Sequence, residues 1–226
     1  MPNLNRRHVL GAPAVLAATA APSIAAAQPA PSFFPKPLPF DPKTIVGLSE
    51  KLLSSHHDNN YAGAVKRLGA IMTQVAGLDP ATAPGFLLNG LKREELIAWN
   101  SMILHEIYFA GFGVPSKPGA ALAAAIEKDF GSDARWRAEF SGMGKALGGG
   151  SGWVVLTYSH RDRRLANQWA ADHTMSMADA TPILVLDMFE HAYAMDYGSK
   201  AAGYVDAVMS ALNWSNADAR YARAVA

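Results

Sequence analysis

The chain has 226 residues, of which 50% are apolar and 17% charged, with no cysteine and a formal net charge of +1. That size and apolar content exclude a disordered chain and allow a sizeable core. Zero cysteine excludes disulfides, thiolate metal sites, iron–sulfur clusters and cysteine nucleophiles, and the near-neutral charge offers no basic footprint for nucleic acid.

Arg6 and Arg7 stand ahead of an alanine-rich run that ends at Ala25-Ala26-Ala27, a small-residue pattern of the kind signal peptidase cleaves. The run contains Pro13 and Pro22 and is weakly apolar, which makes it a poor membrane span. Residues 1–27 are therefore expected to be a twin-arginine export signal, a route that carries folded proteins. The mature product is expected to be periplasmic or secreted. No later stretch reaches the roughly 18 consecutive apolar residues of a membrane helix, so no span is expected in it.

Residues 28–43 carry Pro29, Pro31, Pro35, Pro37, Pro39 and Pro42 and are expected to be an extended leader without helix or strand. Residues 44–114 are expected to be helical. Ile45, Leu48, Leu52 and Leu53, then Tyr61, Val65, Leu68 and Ile71, recur at helical spacing, as one long helix or a broken pair. A second helix is expected over Glu94–Phe109, after Gly90-Leu91-Lys92 and before Gly111 and Gly113-Val114-Pro115. In residues 115–226 helices are expected over Ala120–Phe130 and Asp133–Met143, with Ser132 as a cap. The period then changes. Gly152–Tyr158 reads as a strand, His160–Arg163 as a turn, Leu165–Trp169 as the returning strand, and Pro182–Leu186 as a third strand ending at Asp187. Helix returns over Lys200–Asn213. Helices first, then a small sheet with flanking helices, is an α+β layout.

Four pieces could carry chemistry: His56-His57 with Asp58 to Tyr61, His105-Glu106, the Asp187-x-x-Glu190-His191 stretch, and the glycine run Gly148–Gly152 before Trp153. The glycine run is not a phosphate loop, because Lys145 precedes it and a strand follows where a helix is needed; close backbone packing explains it better. Nor is Asp-x-x-Glu-His a zinc-protease motif. Together, three imidazoles and one carboxylate on separate elements suit iron or manganese rather than calcium or magnesium, and leave a coordination position open.

The stretch Asp187-Met188-Phe189-Glu190-His191-Ala192-Tyr193 resembles the Asp-Val-Trp-Glu-His-Ala-Tyr signature of the iron/manganese superoxide dismutases. Gly150-Ser151-Gly152-Trp153, Ser55–Tyr61 and His105–Phe109 are similar to further motifs of that family, and the likeness spans about residues 38–220. It implies one Fe or Mn ion per subunit on His56, His105, Asp187 and His191, with His57 left out, and superoxide as substrate. It also implies an N-terminal helical hairpin domain packed on a C-terminal α/β domain with a small three-stranded antiparallel sheet. The partner it implies is a second copy of the chain, a homodimer in which Glu190 reaches the partner's His191.

Around those positions the family pattern is broken. The histidine and tyrosine of the substrate gateway are Asn60 and Ala64, and the tyrosine that bonds that histidine is Ala194. The two positions that supply a glutamine to the metal-bound solvent read Ser101 and Gly149. Two active-site tryptophans become Val155 and Phe189, and an anion-guiding arginine falls at Ala201, beside Lys200. His57, Tyr61, Trp169 and His173 are the polar or aromatic residues available to refill the gateway. Two functional readings follow. One is a superoxide dismutase with slowed turnover. The other is a secreted metal-binding protein of the same fold with weak or no dismutase activity.

Overall fold

The computed structural model describes residues 33–226; the expected export signal lies outside the described residues. The chain opens along an extended segment to a short 3-10 turn, Pro42–Thr44, where the Asp41 carboxylate accepts from the Lys43 amide. The proline-rich leader therefore does hold one helical turn, because a proline at the first position needs no amide partner. Helix α1 (Glu50–Ser55) is capped by Ser49, whose hydroxyl accepts from the Leu52 amide. It runs without a break through a π-helical turn, His56–Tyr61, into α2 (Ala62–Ala76).

Helix α3 spans Gly85–Phe109, starting well before Glu94. Gly90 does not stop it, since nothing stands within 4 Å of where its Cβ would lie and the cost of one glycine is small over 25 residues. Pro84 opens it instead. Helices α4 (Ala120–Phe130) and α5 (Asp133–Ala146) follow, the second capped by Ser132, whose hydroxyl accepts from the Arg135 amide.

Strands β1 (Trp153–Ser159), β2 (Arg164–Ala170) and β3 (Ala180–Asp187) form one antiparallel sheet in the order β2-β1-β3. All seven residues of β1 are buried, as suits its central place. The β1–β3 register slips between Leu156 and Thr157, leaving Ile183 as an extra residue beside Pro182, which has no amide to give and sits on an edge strand. Helices α3 and α8 pack on β3, α5 on β1 and α4 on β2.

Beyond Asp187 the chain makes a 3-10 turn, Glu190–Ala192, then α6 (Ala194–Tyr197), α7 (Ala201–Ser210) and α8 (Ser215–Val225). The single helix expected over Lys200–Asn213 thus stops at Ser210, because Leu212 turns out to bridge Phe112 and Asn213 donates its amide to the Gly111 carbonyl. Helices α6 and α8 were not foreseen. Asp196 of α6 accepts from both the amide and the hydroxyl of Ser49, at 2.7 Å each, which ties the C-terminal segment to the start of α1. Among the described residues no helix is long and apolar enough to cross a membrane.

Candidate metal centre

The π turn carries His56 and His57 in succession, and adjacent helical residues point in different directions. His56 is 1% exposed and projects inward against Tyr108 and Phe109 of α3. His57 instead bonds the Asp58 carboxylate at 2.7 Å and the Lys36 carbonyl at 2.8 Å, away from the centre.

Four side chains from three parts of the fold meet in the core. His56 Nε2, His105 Nε2 and His191 Nε2 stand 3.1, 3.5 and 3.4 Å from Asp187 Oδ2, and the four donor atoms all lie within 4.8 Å of one another. Each position is fixed by its neighbours. Asp187 ends β3; its Oδ1 accepts from the Phe189 amide at 2.9 Å, leaving Oδ2 for the histidines, and its carbonyl accepts from the Tyr204 hydroxyl at 2.7 Å. His105 donates Nδ1–H to the Ser101 carbonyl one turn earlier, at 2.6 Å. That bond sets the tautomer, so the Nε2 lone pair faces the centre. His191 follows in the 3-10 turn after β3.

The electrostatics suit a cation. Burial of the His105 ring lowers its pKa to about 3, and burial lowers that of His56 as well. Burial opposes ionisation of Asp187, yet the hydrogen bond from His56 and the facing His191 ring hold its carboxyl well below the usual carboxylate range. The result is a carboxylate faced by the neutral His56 and His105 rings, with His191 as the third imidazole. His105 Nε2 and His191 Nε2 are buried without a hydrogen-bond partner. Buried polar atoms are rarely left so, and a bound cation would satisfy both. Donors about 2 Å from a common ion stand about 3–4 Å apart, the range in which the three histidine–aspartate distances fall. The residues present therefore fit one metal ion, and the nitrogen–oxygen donor set suits iron or manganese.

The surroundings differ from those of an ordinary gateway. Asn60 is half-buried, Ala64 is buried and Ala194 is exposed. Tyr61 does not refill the space, because its hydroxyl donates to Glu106 at 3.1 Å and accepts from the Lys36 amide at 2.9 Å. Trp169 is 52% exposed. Ala201 is buried at the start of α7 and Lys200 is exposed. Gly149 donates its amide to the Tyr193 hydroxyl, and Val155 is buried in β1.

His173 is the residue that comes to the centre. Its ring stacks on Phe189 at 4.8 Å and 19°, and Phe189 stacks on His191 at 5.4 Å and 14°. Trp153 Nε1–H donates to His173 Nδ1 at 2.9 Å, and Asn100 of α3 holds the loop by donating to the His173 carbonyl at 2.6 Å. With Nδ1 accepting, the proton of the neutral ring sits on Nε2. Burial lowers the pKa of His173, which keeps that neutral form. Sequence reasoning saw His173 only as one of several candidates to refill the gateway; the Asp172-His173 pair in a loop carries no periodic signal.

Comparison with known proteins agrees with this geometry. The iron/manganese superoxide dismutase C-terminal domain model matches residues 118–220. An iron superoxide dismutase of Cupriavidus metallidurans is 63% identical over 190 residues, 84% of this chain and 96% of the relative. An iron superoxide dismutase of Sulfolobus acidocaldarius is 32% identical, covering 76% of this chain and 85% of its own length. A manganese superoxide dismutase of Haloferax volcanii is 31% identical, covering 84% and 95%. On the strength of these relatives, and of a donor set that fits their metals, the chain belongs to the iron/manganese superoxide dismutase family.

Proposed function

We propose that the protein is an exported superoxide dismutase, with His56, His105, Asp187 and His191 as the ligands of its iron or manganese. The observation that carries the ligand assignment is the convergence of three imidazole nitrogens on Asp187 Oδ2, two of them buried and unpartnered. The bound ion supplies one-electron chemistry: one superoxide is oxidised to dioxygen, and the next is reduced, with two protons, to hydrogen peroxide. The chain holds the ion with three imidazoles and one carboxylate, and His173, stacked through Phe189 on His191, carries a ring N–H where Ala64 and Ala194 carry none.

The altered gateway supports turnover slower, per metal, than that of a family member with the usual histidine and tyrosine. Glu190 is exposed one residue before His191, a position suited to accepting an imidazole N–H across a homodimer contact. Export to the periplasm rests on the Arg6-Arg7 pair and the alanine-rich run after it.

Metal content and dismutation measured on one purified sample test the reading. The expected result is close to one ion per subunit with slow but real dismutation. Turnover equal to that of an ordinary relative removes the gateway argument, and full metal with no dismutation leaves a metal-binding protein of this fold. Cell fractionation of the wild type beside an Arg6→Lys/Arg7→Lys variant tests export, the variant being expected to stay in the cytoplasm.

A further inference from the structure

We propose that the cavity beneath Lys36–Pro39, between α3 and α8, binds a small carboxylate with an apolar body. The cavity measures about 280 Å³, and Leu38, Ile103, Ile107 and Phe109 give it apolar walls. It lies near the lower end of the roughly 300–1,000 Å³ of small-molecule sites, which combine such walls with a few polar groups.

Most of its polar groups are already committed to one another. Lys36 Nζ pairs with Glu106 Oε2 at 2.5 Å, and the Tyr61 hydroxyl donates to Glu106 Oε1. The His57 ring is bonded to Asp58 and to the Lys36 carbonyl. Arg220 is the exception. It is half-buried, spends Nε–H on the Pro182 carbonyl at 2.6 Å, and forms no ion pair among the described residues. Arg223, one turn on, adds positive charge rather than neutralising it.

Glu106, the carboxylate that acts on Arg220, is already bonded to Lys36 and Tyr61, so the desolvation cost of this guanidinium is only partly offset. A carboxylate would offset that cost through paired N–H···O bonds, the geometry a guanidinium is shaped for. Asn216, one turn earlier on α8, lines the same cavity. The ligand class follows from the two halves together. A bare oxyanion would leave the apolar walls unfilled, and a neutral apolar molecule would leave Arg220 unpaired.

The cavity is separate from the metal centre but shares a wall with it. Phe109 lines the cavity and also packs its ring on His56 at 5.0 Å and on His105 at 6.3 Å. Ligand binding in the cavity does not depend on dismutase activity.

Calorimetric titration of the metal-loaded protein with hexanoate and with benzoate tests it, with 1-hexanol and inorganic phosphate as controls. Both carboxylates are expected to bind, and each control to bind about tenfold more weakly or not at all. Arg220→Gln should weaken the carboxylates about tenfold while metal content stays unchanged. Should that variant fail to fold, Ile103→Trp, which fills the cavity from α3, is expected to abolish binding instead. Repeating the titration with azide saturating the metal separates the two anion sites, and cavity binding is expected to persist. Absence of binding at tens of millimolar, binding displaced by azide, or binding indifferent to both substitutions would each overturn the proposal.

Discussion

His105 shows how one residue links folding to metal binding. The Ser101 carbonyl fixes its proton on Nδ1, and burial lowers its pKa from an ordinary 6.5 to about 3. The unfolded chain therefore takes up a proton first as pH falls, and stability declines from about pH 6.5 towards about pH 3. His56, also lowered, adds to the loss in the same direction. Denaturant midpoints of the metal-free protein should be highest above pH 6.5 and fall below it, with metal release over the same range in the loaded form. A midpoint independent of pH from 7 to 4 would contradict this. His173 makes a second residue-scale prediction. His173→Ala should keep the metal but lower dismutation per metal by about 10–100-fold, and His173→Gln, which retains an N–H donor, should recover part of it. Equal rates in all three proteins would show that His173 serves packing alone.

At the scale of elements, the strand β1 depends on a glycine. Gly152 sits at φ +142°, and a Cβ there would meet the Ala170 carbonyl oxygen at 2.2 Å. Gly152→Ala should cost about 2–4 kcal/mol, read as a lower thermal midpoint, through backbone strain and overpacking together. The π turn bears on the gateway. Ala64→Tyr with Asn60→His restores two of the missing side chains, and should change the pH dependence of dismutation.

Much of this architecture was legible in the sequence, and the gaps have physical causes. The four converging donors could be read because each sits in a local motif on a strongly patterned element. Strands β1 and β3 could be read because they are apolar runs bounded by turn residues. The π turn could not, since apolar spacing is nearly the same on either side of it. Helix α8 escaped notice because its inward face is small and mixed, with Ala217 its single buried residue. The pairing of Trp153 with His173 joins residues 20 apart through a loop, and no local pattern encodes it.

Taken as a whole molecule, the protein presents Glu190 and Ala194 at the surface, next to a His191 side chain that is 28% exposed. If a second copy covers this face, Glu190→Ala should both loosen the dimer and weaken metal retention, measured by light scattering and metal analysis. A wild type that is monomeric at micromolar concentration would remove the basis for that coupling. The contact between His56 and Asp187 has a further consequence. These residues are 131 positions apart, and the chain has no cysteine with which to join its halves. An ion gripping both would act as a reversible cross-link closing that long loop. Because the four ligands come together only in the folded chain, the free energy of binding the ion adds directly to the stability of the fold. Metal removal should then do more than empty a pocket. It should let the N-terminal helices and the sheet open independently, with amide exchange rising in α1 and α2 ahead of β1.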